Sequence, residues 1–213
     1  LVRSPGVYFS QEIEKTSDKE VFIGKMIPGR GAWLEFDTDK RDTLGVRVDR
    51  KRRQHITGFL MALKVIQSKE EAIDLLGDYP SVRNTIERDP DTTREAALID
   101  LYRKLRPGEP ATVASAENLV NQMFYTPKRY DLTKVGRYKV EQKLGRQYGE
   151  KEAENYTTES DGMLRIEDMI DSIKYVIALH AGEESFVNNK NKEIPVRLDD
   201  IDHFGNRRIR TVG

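Results

Sequence analysis

Between Glu20 and Asp49 apolar and polar residues alternate along the chain. Val21 and Ile23, Leu34 and Phe36, then Leu44, Val46 and Val48 each take every second position. Successive side chains of a strand point to opposite faces, so this period predicts strands with one buried face. Thr38-Asp39-Lys40-Arg41-Asp42 reads as the turn between the last two, and Pro28-Gly29-Arg30-Gly31 as a sharper bend before Trp33. A small antiparallel sheet is the simplest outcome.

From Ile56 the period lengthens to that of a helix. Ser68 with Glu71, and Thr92 with Glu95, fit capping boxes. Beyond the second, Leu98, Leu101, Tyr102 and Leu105 form an i, i+3, i+4, i+7 stripe that Pro107-Gly108 stops. Leu119, Val120, Met123 and Phe124 mark another helix face. Ile166, Met169, Ile170, Ile173 and Ile177 mark the longest, ending near Gly182. Each stripe is expected to pack into a core. Gln147 to Gly162 is polar and punctuated by glycine, which predicts a mobile loop. The chain carries no internal repeat and no low-complexity tract. The expected class is α+β, with a small antiparallel sheet near the N-terminus packed against a mainly helical remainder.

Composition sets bounds on this picture. The 213 residues suit one large domain or two small ones, and we read 1–213 as one. At 37% hydrophobic the chain can bury a core, while 34% charged residues predict a wet surface. No stretch approaches the roughly 20 apolar residues of a membrane span, and nothing resembles a secretory leader. A start at Leu1-Val2 without Met leads us to expect an internal fragment of a much longer chain. Cysteine is absent, which excludes disulfides and thiolate chemistry and fits a reducing, cytoplasmic setting. Formal net charge is zero, so bulk attraction to nucleic acid or membrane is not expected. The charge is unevenly spread, however: residues 150–202 hold 14 acids against 6 bases. A bipolar molecule of this kind can still turn one basic face to phosphates.

Few patterns point to chemistry within the chain itself. There is no G-x-x-x-x-G-K phosphate loop and no G-x-G-x-x-G fingerprint. Asp199, Asp200, Asp202 and His203 imitate a metal site, but Arg207, Arg208 and Arg210 would compete for their oxygens, so no metal is assigned. His55 and His180 lie far from His203 in sequence, and His180 is better explained by a helix C-terminus. Asn155-Tyr156-Thr157 matches a glycosylation acceptor without secretory context. No nucleophile–base pair can be named, so no catalytic residue is assigned. Binding is the more plausible role. Arg47, Arg50, Lys51, Arg52 and Arg53 place five cations in seven positions at a strand end, enough for about three phosphates. A charged edge that discourages aggregation explains the same run. Trp33, the single tryptophan, sits beside glycines where an exposed indole would make a base-stacking platform and a buried one would be core.

The C-terminal run DDIDHFGNRRIRTVG, Asp199 to Gly213, places acids beside a guanidinium cluster, which is chemically odd for a plain surface loop. It resembles the segment near the rifampicin pocket in the β subunit of bacterial DNA-directed RNA polymerase. LVRSPGVYF at the start, GAWLEFD, VRVDRKRR, LYRKLRPGEPAT and RYDLTKVGRYKVEQKLG are similar to that subunit in the same order. Actinobacterial versions are the most similar. The chain departs from the proteobacterial pattern around His55 to Asp91, where a long insertion is missing, and it stops before the main rifampicin-resistance region.

The resemblance implies the lobe, or β2 domain, one wall of the downstream DNA cleft. It implies that Arg3, Asp202 and Arg207 line a pocket for a flipped guanine of the non-template strand. Ile201 would pack beside the base, Trp33 would stack on the preceding base, and Asp49 would lie nearby. The chemistry agrees, since a carboxylate accepts from the paired N1–H and N2–H₂ donors that only guanine presents. Arg50, Arg52, Arg106, Lys128, Arg129 and Arg137 are candidate phosphate contacts, although Arg129 or Arg137 could instead pair with Asp131 or Glu141. The whole enzyme implied is a Mg-dependent nucleotidyltransferase whose metal sits in another subunit, so no cofactor is expected here. Expected partners are DNA and other polymerase subunits. A rival reading is a protein-interaction platform whose acidic 150–202 region docks a σ factor or regulators.

Overall fold

The computed structural model describes residues 2–199 and the backbone of residues 207–208. Its framework is an antiparallel meander of five strands: β2 (Gly6–Glu14), β3 (Lys19–Ile27), β4 (Leu34–Thr38), β5 (Leu44–Val48) and β6 (Gln54–His55). The alternating positions of β4 and β5 behave as expected, with Leu34, Phe36, Leu44, Val46 and Val48 all buried. In β3, however, Val21 and Ile23 are only half-buried, because Gly24, paired with Phe36, puts the even positions on the core face. Strand β2 shows no alternation, because Gly6 to Phe9 is buried throughout while Gln11 to Ile13 is exposed. Gly24 in β3 stands opposite Phe9, and a Cβ there would lie 2.7 Å from the Phe9 ring. Only glycine lets that ring lie flat across the sheet onto Tyr175, with centroids 3.8 Å apart.

Helices follow from residue 56: α1 (Ile56–Ala62), a 3₁₀ turn (Lys69–Glu71), α2 (Ala72–Leu76), α3 (Pro80–Arg88), α4 (Arg94–Leu105), α5 (Val113–Phe124), α6 (Thr133–Lys143), α7 (Glu150–Glu154) and α8 (Ile166–Ala181). Helix α8 packs on β3 and β4, α6 packs on β2, and α4 sits between α1 and α5. The hairpin β7 (Ser185–Val187) and β8 (Glu193–Pro195) then folds back on α8. Buried side chains from the sheet and these helices form one continuous core. A last pair, β1 (Val2–Arg3) with β9 (Arg207–Arg208), joins the two ends of the chain antiparallel. The α+β expectation therefore holds.

Several local readings need correction. Thr93, not Thr92, caps α4, its side chain accepting from the Ala96 amide. Ser68 makes no side-chain cap, because Glu71 instead accepts from the Gln67 amide. Ile166 belongs to the stripe of α8 but is exposed at its first position. Within 147–162, residues Glu150–Glu154 form α7, Arg137 binds the Asp161 carbonyl, and the Tyr156 hydroxyl donates to Asp131. His180, in the last turn of α8 where the dipole favours a cation, also meets Asp42 at 2.8 Å. Gly182 closes α8 in the left-handed conformation (φ 73°), as the sequence predicts.

One acidic cluster yields a prediction about stability. Asp91 lies beside Asp89 near α1, and its carboxyl is pushed up to about 6 by partial burial and by the neighbouring Asp100 and Asp89 carboxylates. A group raised in the folded state contributes stability fully below its unfolded value near 4, and loses it as pH rises through about 6. Asp91→Asn removes the charge that forms above that point. The variant should be more stable than the parent at pH 8 and no different at pH 4. Urea unfolding at both values checks this, and a destabilised variant at pH 8 would contradict it.

Candidate nucleic-acid interface

The register of the sheet brings most of the expected residues to one end. Gly6 pairs with Ile27, Met26 with Leu34, and Leu34 with Val48, so β2 and β4 begin where β3 and β5 end. Arg3 enters β2 there through Ser4-Pro5, and Trp33 and Asp49 lie at neighbouring strand ends. They are bonded reciprocally: the Trp33 amide donates to Asp49 Oδ1 at 2.8 Å, and the Asp49 amide donates to the Trp33 carbonyl at 2.9 Å. Asp49 and Arg50 both adopt left-handed backbone (φ 49° and 59°), which costs non-glycine residues about 1–2 kcal/mol each. That turn swings the Arg50 guanidinium to 5.0 Å from the centre of the Trp33 ring. The result is a half-exposed indole joined to an exposed cation, a surface able to offer stacking and charge at one point.

The loop before Trp33 is fixed from the other side. The Gly29 and Arg30 amides donate to the Asp131 carbonyl at 2.9 and 3.0 Å, and the Asp131 amide returns a bond to the Arg30 carbonyl at 2.8 Å. Gly31 (φ 121°) comes so close to the Arg129 carbonyl that a Cβ would lie 2.8 Å from it. This contact brings exposed Arg129 beside the Trp33 loop. Arg3 lies 5.6 Å over the Tyr8 ring, and its backbone pairs with that of Arg207 across β1 and β9. The two end motifs, some 200 residues apart in sequence, thus meet at this edge. Asp200, Ile201, Asp202 and His203, with the side chain of Arg207, lie outside the described residues.

Other candidates are placed elsewhere or used differently. Arg50, Lys51 and Arg52 are exposed, but Arg53 turns inward to Asp37 at 2.6 Å, to Asp39 and to Thr43, so the basic run offers fewer free cations than its count suggests. Arg47 leans 3.8 Å from Asp37. Burial raises Asp37, and the Arg53 charge opposes that rise. Arg106 stands apart in the turn after α4, 3.9 Å from Glu109. Arg137 cannot reach a phosphate: it is completely buried, bonded to Glu141 (2.9 Å), Asp168 (2.8 Å) and the carbonyls of Asp161 and Met163. The acidic segment is likewise partly internal, with Asp168 and Asp171 buried and Asp199 paired with Lys143. Glu183 and Glu184 remain exposed. Among the described residues no three metal-ligating side chains converge, and no helix is long and apolar enough to cross a membrane.

A second feature has no local signature in the sequence. A cleft of about 540 Å³ opens between β2, the last turns of α6 and β8, lined by Tyr8, Lys139, Lys143, Lys192, Arg197 and Asp199 among others. Its cations come from two distant segments, 139–143 and 192–197, and only the i, i+4 spacing of Lys139 and Lys143 on one helix face hinted at it.

Comparison with known proteins finds relatives along the whole chain. A family model described as RNA polymerase Rpb2, domain 2, matches residues 3–210. The chain is 53% identical over 213 residues to the DNA-directed RNA polymerase subunit beta of Streptomyces avermitilis, covering all of this chain and 17% of that protein. It is 50% identical over 218 residues to the subunit of the same name from an Arthrobacter species, and 49% over 216 residues to that of Renibacterium salmoninarum, covering 18% of each. It spans about a sixth of the length of these curated relatives.

Proposed function

Because the chain belongs to the RNA polymerase Rpb2 domain 2 family and matches β subunits along its whole length, we propose that it is the lobe of a DNA-directed RNA polymerase. It lines the downstream DNA cleft and contacts the non-template strand, while nucleotidyl transfer, with its metal ions, belongs to the assembled enzyme. Other polymerase subunits are its immediate partners, with σ factor and regulators as further ones. The observation that carries this reading is the meeting of Arg3 with the Arg207 backbone at the sheet end that also holds Trp33, Asp49 and Arg50.

A single strand arriving at this edge would stack one base on Trp33, with Arg50 and Arg129 beside its phosphates. The next base, if guanine, would offer N1–H and N2–H₂ to Asp202, while Arg207 and Arg3 hold the carboxylate and the backbone. Asp49 acts through Trp33, fixing the loop that carries the indole. Such paired edge contacts are worth about 1–3 kcal/mol of discrimination, roughly 5- to 150-fold. The test is the lifetime of assembled polymerase on bubble DNA with guanine or another base just downstream on the non-template strand. Asp202→Ala should erase the guanine advantage, and Trp33→Ala should shorten lifetimes with every base. An undiminished preference in Asp202→Ala would remove base reading from this domain, leaving a wall and docking surface. Loss of σ or regulator binding on neutralising Glu183 and Glu184 would then support the docking reading.

A further inference from the structure

We propose that the basic cleft between β2, α6 and β8 is a second strand-binding subsite, taking the phosphodiester backbone of the single strand beyond the Trp33–Arg3 edge. The inference rests on the lobe reading and extends it to residues that no part of that reading uses. Four cations line the cleft, and its single carboxylate, Asp199, is already held by Lys143 and by the Phe9 amide at 2.8 Å. The charged ends of Lys192 and Arg197 are exposed and make no ion pair among the described residues. The charges of Lys192 and Arg197 in one cleft are unfavourable in the free protein, and an anion relieves that repulsion.

Shape and position identify the anion. The cleft is open rather than enclosed, and its floor is made by Tyr8 and Tyr175, whose rings are covered by Arg3 and Lys143 at 5.6 and 5.5 Å. Tyr8 is shared between the cleft and the Arg3 edge, since Arg3 lies on its ring and its hydroxyl donates to the Ser4 carbonyl at 2.7 Å. Through Tyr8 the cleft therefore adjoins Arg3, so the cations of the cleft and of the edge meet at one side chain. An open cleft lined by several cations suits a chain of phosphates, each neutralised in turn, better than a compact ligand.

The test uses the full-length subunit in assembled polymerase, with Lys192→Ala/Arg197→Ala as the cleft variant. Lys40→Ala, in the β4–β5 turn at the far end of the sheet, serves as a charge control, and Trp33→Ala reports on the primary edge. Binding to bubble DNA is measured against salt, with single-stranded non-template tracts of increasing length. The cleft variant should lower the salt slope by about 1.4, the value for two phosphates of a single strand, and only once the tract is long enough to reach the cleft. Lys40→Ala should leave the slope unchanged. If Trp33→Ala weakens binding while the cleft variant keeps the parental slope at every length, the cleft proposal fails and the lobe reading stands. If neither variant changes binding, both fail. A slope change at all lengths alike would also overturn the proposal, because it would mean general charge rather than a positioned subsite.

Discussion

Arg137→Ala is expected to lower the stability of this domain by about 3–5 kcal/mol, the range for removing one partner of a buried ion pair. Arg137 is fully buried on α6 and holds four groups at once: Glu141, Asp168 and two carbonyls of the 157–164 segment. Arg146 shares both acids, at 3.0 Å from Glu141 and 2.5 Å from Asp168. Removing Arg137 strands carboxylates and carbonyls away from water, whereas lysine keeps the charge and three donors but not the planar fork. Urea midpoints for Arg137→Ala and Arg137→Lys against the parent would measure this, and alanine at the parental midpoint would refute it. The pH dependence has a definite sign. Burial would push Asp168 up, but the guanidinium groups of Arg137 and Arg146 hold it below the usual carboxylate range. A lowered carboxyl contributes stability above its unfolded value near 4 and loses it as pH falls further. The parent should therefore lose this contribution in acid, and Arg137→Ala should have less of it to lose.

Phe9→Ala is the second large effect, again about 3–5 kcal/mol for a fully buried aromatic. The ring fills the gap left by Gly24 and stacks on Tyr175, so its loss opens a void between sheet and α8 that neither backbone can close. The consequence reaches function, because the Phe9 backbone anchors Asp199 through both its amide and its carbonyl, at 2.8 Å each. Phe9→Leu keeps much of the volume and should recover part of the stability. Thermal unfolding of the two variants separates packing from shape, and equal midpoints for Phe9→Ala and the parent would show that the stack contributes nothing.

How far such features were legible in the sequence depended on how local their causes are. Strands β4 and β5 were readable because one face is buried, which forces alternation, whereas the β3 positions Val21 and Ile23 lie on its half-buried face. Strand β2 was not readable, since its first half is buried on both faces, against α6 and against Tyr175 of α8, and its second half is exposed. The choice between Thr92 and Thr93 as helix cap is a matter of backbone angle that residue type alone does not encode. The Arg137–Glu141 pair was readable at i, i+4, but Asp168, 31 positions away, becomes its partner only through tertiary packing. At the candidate site, Trp33 and Asp49 were named from the resemblance to β subunits, and the Leu34–Val48 register explains why they touch. The basic cleft draws its cations from α6, the β7–β8 hairpin and the segment after it, so no window of sequence could display it. The actinobacterial flavour of the motifs agrees with the Streptomyces, Arthrobacter and Renibacterium relatives.

The pairing of β1 with β9 has a mechanical meaning. Val2 faces Arg208 and Arg3 faces Arg207, so the outer residues of both strands lie on the same side of the ladder. Tension applied through the flanking chain would pull these strands apart like a zipper, loading one hydrogen bond at a time. The five-stranded sheet and the buried Arg137 cluster lie beyond that ladder and would feel force only after it parts. Under such a load the junction would part as a mechanical fuse before the core carried force.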